Sequence, residues 1–275
     1  MSQRARVSWM LALAAVACAG EPAAPPGPGL PLADINNGTP TGPGFGNVGA
    51  LLFDFNRNNV VDGDDQLCTG TLIAPTVFLT ARHCVDFLPP TAQLYVSFEP
   101  DLTPAPARFI AATGFTHMQR QGPDQADAED LGLVFLPAGS TAGITPAGLP
   151  PLGYLDQLQA QGGLSKELFI NVGYGVAASR TGQPSFAYDG LRKVSRSRFM
   201  ALQPAWLGLL MNTAATGEGG DCFGDSGGPK FLESNPTIVV ATVTTGDRPC
   251  RATSWDYRLD TPRARAFLGQ YVTLP

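Results

Sequence analysis

Apolar residues in this chain fall in short runs broken by glycine, proline and polar clusters. Residues 48–53, 68–80, 93–98, 131–136, 168–172 and 237–244 are rich in Val, Ile, Leu, Phe and Thr. Runs of that length and composition predict β-strands. The chain carries 32 glycines and 25 prolines, which disfavour long helices, so the expected fold class is all-β. The two ends differ from this pattern. Arg4 and Arg6 precede an apolar run over residues 7–17, which is too short to span a bilayer but right for the core of an export signal. Residues 19–32 are rich in Pro, Gly and Ala and predict an extended, unpacked tether. Near the other end, Thr261 followed by Pro262 predicts the start of a short helix.

Composition narrows the picture modestly. With 275 residues, 44% of them hydrophobic and 15% charged, the chain can bury one large core or two small ones. A net charge of -5 argues against nucleic acid and anionic membrane surfaces as partners, and no basic cluster or internal repeat opposes that.

The candidate chemistry sits in Gly224-Asp225-Ser226-Gly227-Gly228-Pro229. A serine hydroxyl is a weak nucleophile at neutral pH and needs a base within hydrogen-bond reach and a third group to orient that base. There are two histidines. His83 lies in Thr80-Ala81-Arg82-His83-Cys84, whereas His117 lies in a polar stretch without comparable context. A third motif, Asp130-Leu131-Gly132-Leu133, lies 47 residues after His83 and 96 before Ser226. By these three motifs and their His, Asp, Ser order, the chain resembles the chymotrypsin/trypsin-like serine endopeptidases, as a bacterial exported member, from about Ile35 to the C-terminus. Arg82 and Gly132 are small departures from the family's pattern. The letters around Ser226 also fit the G-x-S-x-G of α/β-hydrolases, but there the serine precedes both the acid and the histidine.

The resemblance implies two six-stranded antiparallel barrels with the active site in the cleft between them, and a short C-terminal helix. Domain limits follow as a signal peptide at 1–18, a tether or propeptide at 19–34, and a peptidase domain at 35–275. Within the last, the first barrel runs to about 136, a crossover spans 137–166, the second barrel runs from about 167 to 260 and the helix from 261 to 270. His83 is expected to act as general base, Asp130 to orient it, and the backbone amides of Gly224 and Ser226 to form the oxyanion hole. The substrate is a polypeptide, no cofactor is required and a monomer is expected. An inactive homologue using the cleft as a binding module is the alternative, hinted at by an altered pocket.

That pocket departs from the family. Gly220 stands at the family's floor position with Asp221 beside it, Phe223 falls at the mouth, and Thr244 and Gly246 form a wall in which Thr245 replaces the usual aromatic. Trp255 is a further residue that could intrude. Strict selection of Lys or Arg is therefore not expected.

The resemblance also implies disulfides Cys68 with Cys84 and Cys222 with Cys250, which need an oxidising compartment. A zinc site is the competing use of four cysteines, but they lack close C-x-x-C spacing. The fifth cysteine, Cys18, follows Ala15-Val16-Ala17 as in a bacterial lipoprotein signal, and a lipid there would be the chain's one link to a membrane; ordinary cleavage and secretion or periplasmic release is the other outcome. Activation by cleavage would expose Ile35 to pair with Asp225, yet Asp34 precedes it and no Lys or Arg lies between Arg6 and Arg57. Either a protease of other specificity cuts there, or the active form arises without cleavage. Finally, Asp54, Asn56, Asn58, Asp62 and Asp65 occupy positions about 1, 3, 5, 9 and 12 of a calcium loop, a candidate structural site that competes with a plain polar hairpin loop.

Overall fold

A computed structural model describes residues 37–103, 108–122, 126–179 and 182–275, all within one compact unit. Two antiparallel sheets dominate it. The first contains β2 (Val48–Leu52), β3 (Gln66–Ala74), β4 (Val77–Thr80), β5 (Tyr95–Ser97), β6 (Ile110–Ala111), β7 (Gly114–His117) and β8 (Gly132–Phe135) in the order β6-β5-β2-β3-β4-β8-β7. The second contains β1 (Thr39–Pro40), β9 (Leu168–Gly173), β12 (Lys193–Leu202), β13 (Trp206–Leu210), β14 (Pro229–Leu232), β15 (Asn235–Gly246) and β16 (Thr253–Arg258). A small ribbon pairs β10 (Ala177–Ala178) with β11 (Phe186–Ala187).

The second sheet closes as a six-stranded barrel, because β9 pairs with both β14 and β12; β1 adds to β12 from outside. The first curls without closing by a strand pair. Its edges are joined instead by the chain itself: the Ala112 amide donates to Leu94 at 2.8 Å and the Thr113 amide to Phe135 at 2.8 Å, on opposite edges of the sheet. The fold is thus mostly β, with one closed barrel and one curled sheet. Pro75 and Thr76 turn the chain within the apolar run 68–80, splitting it into β3 and β4. The crossover 137–166 carries the helix Tyr154–Ala160, which follows Gly153 in a left-handed conformation.

One cluster fuses the two halves: Val48, Leu79 and Leu133 from the first sheet pack with Ile170, Val172, Phe231 and Tyr257 from the second. The C-terminal helix Pro262–Leu268 joins this cluster through Ala264 and Leu268. Its start is as predicted, with Thr261 Oγ1 accepting the Ala264 amide at 3.2 Å and Pro262 in the first turn.

The segment before β2 is held by a buried cation. Arg192, 1% exposed, donates to the carbonyls of Val48 (2.9 Å), Phe98 (2.9 Å), Gly42 (3.3 Å) and Gly44 (2.9 Å) and to Thr41 Oγ1 (3.0 Å). A guanidinium's fork of donors suits this cage of carbonyls, where an ammonium could satisfy fewer. Among the described residues no helix is long and apolar enough to cross a membrane.

Candidate active site

At the end of β4 the chain enters a single 3-10 turn, Arg82–Cys84, that carries His83. The disulfide Cys68–Cys84, with Cα atoms 6.3 Å apart, ties this turn back to β3. Pairing of Thr80 with Gly132 brings the start of β8 alongside and delivers Asp130. The Asp130 carboxylate is 3% exposed and grips His83 twice, accepting its backbone amide at 3.0 Å through Oδ1 and meeting ring Nδ1 at 2.9 Å through Oδ2. A carboxylate only accepts, so Nδ1 carries the ring proton and Nε2 is left as an acceptor. His117 lies elsewhere, on β7, with its ring against the Met118 carbonyl.

The loop bearing Ser226 docks onto β3 and β4, the strands that lead into the His83 turn. The Ser226 carbonyl accepts the Thr69 amide at 2.9 Å. Gly227, at φ +78°, lies so close to Thr80 Oγ1 and the backbones of Thr69 and Ala81 that a Cβ there would overlap them. Gly224, at φ +94°, turns its carbonyl toward Gln66 Nε2 and Thr69 Oγ1, each at 2.9 Å. Among the described residues the amides of Gly224 and Ser226 donate to no protein acceptor. Two unpaired donors beside one hydroxyl can stabilise negative charge developing on an attacked carbonyl oxygen.

Between them in sequence, Asp225 is 1% exposed and accepts the Gly175 amide through Oδ1 and the Cys222 amide through Oδ2, both at 2.8 Å. Burial, aided by the charge of Asp221, pushes its carboxyl up to about 7. Ile35, the partner expected for Asp225, lies outside the described residues, as do Cys18 and the tether.

A cavity of about 350 Å³ opens beside Ser226, lined among others by Asp221, Phe223, Thr244, Gly246 and Ser254. Gly220 is not part of that lining. A Cβ on it would overlap the Met211 side chain, which occupies the space and lines the cavity instead. Strand alternation turns Ser254 to the cavity, while the neighbouring Trp255 packs over Gly208. Phe223 is 54% exposed at the rim, edge-on to Phe186 with ring centroids 5.2 Å apart. The Cys222–Cys250 disulfide, with Cα atoms 5.3 Å apart, crosses the same wall.

Behind the floor lies a group of charges that sequence reasoning missed. Lys230 is fully buried and bonds Asn171 Oδ1 at 2.7 Å and Asp221 Oδ2, with Asp256 Oδ1 at 3.6 Å. Ser254 Oγ lies 2.7 Å from Asp221 Oδ2 and 2.8 Å from Asp256 Oδ1. Burial pushes the Asp256 carboxyl up to about 8. The available signal was a lysine directly after Gly-Gly-Pro and before Phe-Leu, where an apolar residue would fit an interior strand.

Both raised carboxyls make stability depend on pH. An unfolded aspartate ionises near about 3.9. Across the window from there to about 7 or 8 the folded chain therefore holds protons that the unfolded chain has released. Stability should decline as pH rises from about 4 to 8 and level off above it. Urea midpoints measured from pH 5 to 9 should show this slope, and Asp256→Asn should make it shallower; an unchanged slope in the variant would remove Asp256 from the account.

The loop of Asp54, Asn56 and Asn58 spends oxygens on its own amides. Asp54 accepts from Asn58 (3.2 Å) and Asn59 (3.0 Å), Asn56 from Asn58 (2.8 Å), and Asn58 from Val60 (2.7 Å). Asp62 and Asp65 cap the short turn Gly63–Asp65. Among the described residues, the carboxylates of Asp54, Asp62 and Asp65 do not gather within mutual ligating distance. The one His/Cys cluster that does is Cys68, His83 and Cys84, whose sulfurs are already joined as a disulfide.

Comparison with known proteins agrees with this architecture. The family model described as Trypsin matches residues 53–257. Among solved structures, one titled HBP superposes with a TM-score of 0.63 at 18% identity, covering 88% of this chain and 98% of its own. A human heparin binding protein gives 0.62 at 18% identity, with 88% and 99% covered, and a protein titled HL collagenase gives 0.61 at 17%, with 88% and 100% covered. At such identities the likeness is one of fold. No curated protein matches the chain by sequence.

Proposed function

Since this chain belongs to the trypsin family, we propose that it is a serine endopeptidase with Ser226 as nucleophile, His83 as general base and Asp130 as the residue that holds the base. The carrying observation is the double grip of the buried Asp130 on His83, at 3.0 Å to its backbone and 2.9 Å to its ring. This grip fixes the tautomer that leaves Nε2 free to accept a proton.

In the proposed cycle the Ser226 hydroxyl attacks a peptide carbonyl while its proton passes to His83 Nε2. The resulting oxyanion is met by the unpaired amides of Gly224 and Ser226. His83 then gives its proton to the leaving amine, forming an acyl-enzyme, and a water activated by the same nitrogen releases the acid. No cofactor enters any step. The substrate is a polypeptide and the acting species a monomer. Two disulfides support an exported location, with anchoring through Cys18 and release at Ile35 as further parts of the proposal.

A heparin binding protein shares the fold, so architecture alone does not separate an enzyme from a binding module. Covalent labelling does. A fluorophosphonate should modify the wild-type protein at Ser226 stoichiometrically, and Ser226→Ala should not react at all. A folded, disulfide-bonded protein that begins at Ile35 and still resists the reagent would sink the peptidase and leave the binding module.

A further inference from the structure

We propose that buried Lys230 neutralises Asp221 at the floor of the substrate cavity, so that the cavity takes an uncharged side chain with a hydrogen-bond donor at its tip and discriminates against Lys and Arg. This rests on the assignment of Ser226 as nucleophile, because the cavity opens beside that hydroxyl.

A lone carboxylate at the floor of such a cavity would draw in a substrate cation. Asp221 is not alone. Its Oδ2 holds the Lys230 ammonium and lies 2.7 Å from the Ser254 hydroxyl. Lys230 is fully buried, and an ammonium out of water requires a compensating charge. Asp221 is that charge. The second carboxylate near Lys230, Asp256, stands farther off at 3.6 Å, and burial raises its carboxyl, so Asp221 in direct contact is the principal counter-ion.

Other charges at the cavity do not restore a negative floor. Asp247 lines it, but its oxygens accept the amides of Ala252 and Thr253 at 2.8 Å and Arg251 at 2.9 Å, and Arg248 lines it too. A guanidinium entering to reach Asp221 would bring a second cation up to Lys230 in a site shielded from water, where repulsion is strong. A neutral donor would meet no such penalty. Asp221 Oδ1 accepts no hydrogen bond among the described residues and is not a buried orphan. It remains available to a carboxamide or hydroxyl, while Met211, Val243 and the disulfide provide apolar walls.

Benzamidinium, an arginine-like cation, and neutral benzamide test the floor by calorimetry, with or without catalysis. Wild type should bind benzamidinium no better than benzamide. Lys230→Met should bind benzamidinium at least tenfold tighter than wild type, because Asp221 is then uncompensated. Peptides differing only before the scissile bond should show kcat/KM for Gln at least tenfold above Arg in wild type, narrowing in the variant. Wild type that prefers benzamidinium or Arg overturns the proposal with no variant needed, as does a Lys230→Met protein with unchanged selectivity. If Ser226 resists fluorophosphonate and no peptide is cut, the peptidase assignment fails while the benzamidinium and benzamide affinities still decide the role of Lys230.

Discussion

Replacing Asp130 by asparagine is expected to lower kcat about 10⁴-fold with little change in KM. The mechanism is a tautomer switch. The introduced carboxamide could still accept the His83 backbone amide through its oxygen, as Asp130 Oδ1 does at 3.0 Å. Its amide nitrogen would then face ring Nδ1, where Oδ2 now sits at 2.9 Å. Two donors cannot share that contact, so the ring proton moves to Nε2, which can then no longer accept the Ser226 proton in the proposed cycle. Steady-state kinetics on a peptide ester, with thermal unfolding to show that the variant is folded, would measure the effect. A loss below tenfold would mean that Asp130 does not set the protonation of His83.

The second large effect concerns stability. Arg192→Met is expected to cost about 4 kcal/mol or more, because the methionine would leave the carbonyls of Val48, Phe98, Gly42 and Gly44 without their donor. For a domain of this size each kcal/mol lowers Tm by about 2–4 °C, so the midpoint should fall by roughly 10 °C. Arg192→Lys should recover only part of the loss, since one ammonium cannot donate to several separated carbonyls at once. Scanning calorimetry of both variants would test this, and a methionine variant within about 2 °C of wild type would show that water replaces the guanidinium without penalty.

What could be read from the chain and what could not divide along physical lines. The strands formed by residues 48–52, 132–135 and 168–173 announce themselves because their buried faces are apolar. β12 does not. Its Lys193, Ser195 and Ser197 point inward, and the two serines meet Asn171 Nδ2 at 3.0 and 2.8 Å. A strand whose interior partners are polar leaves no alternation of hydrophobicity to detect. The short strands β6 and β7 are stabilised by their place in the sheet more than by composition. The helix Tyr154–Ala160 begins after a glycine without a side-chain cap, so its start carried no capping signal. In the site, the motifs around His83, Asp130 and Ser226 were legible because each lies in a local sequence context. Lys230, Asp256 and Ser254 were not, because their charge cluster comes from three strand positions made neighbours by the barrel.

The two ends of the described chain also bear on how the cleft behaves. β1 precedes the first sheet in sequence yet hydrogen-bonds to β12 of the second, and Asn37 Nδ2 reaches the Gly217 carbonyl at 2.9 Å. After the second sheet, the C-terminal segment returns to the first, where Tyr271 meets Phe135 with ring centroids 5.6 Å apart and Arg263 pairs with Glu129. Each half is thus strapped by a piece of chain belonging to the other, like crossed arms. Swinging the halves apart would have to release both straps together along with the shared core. The jaw is therefore of fixed gape: whatever enters it must fit it as built, and any yielding must come from the surface loops around it.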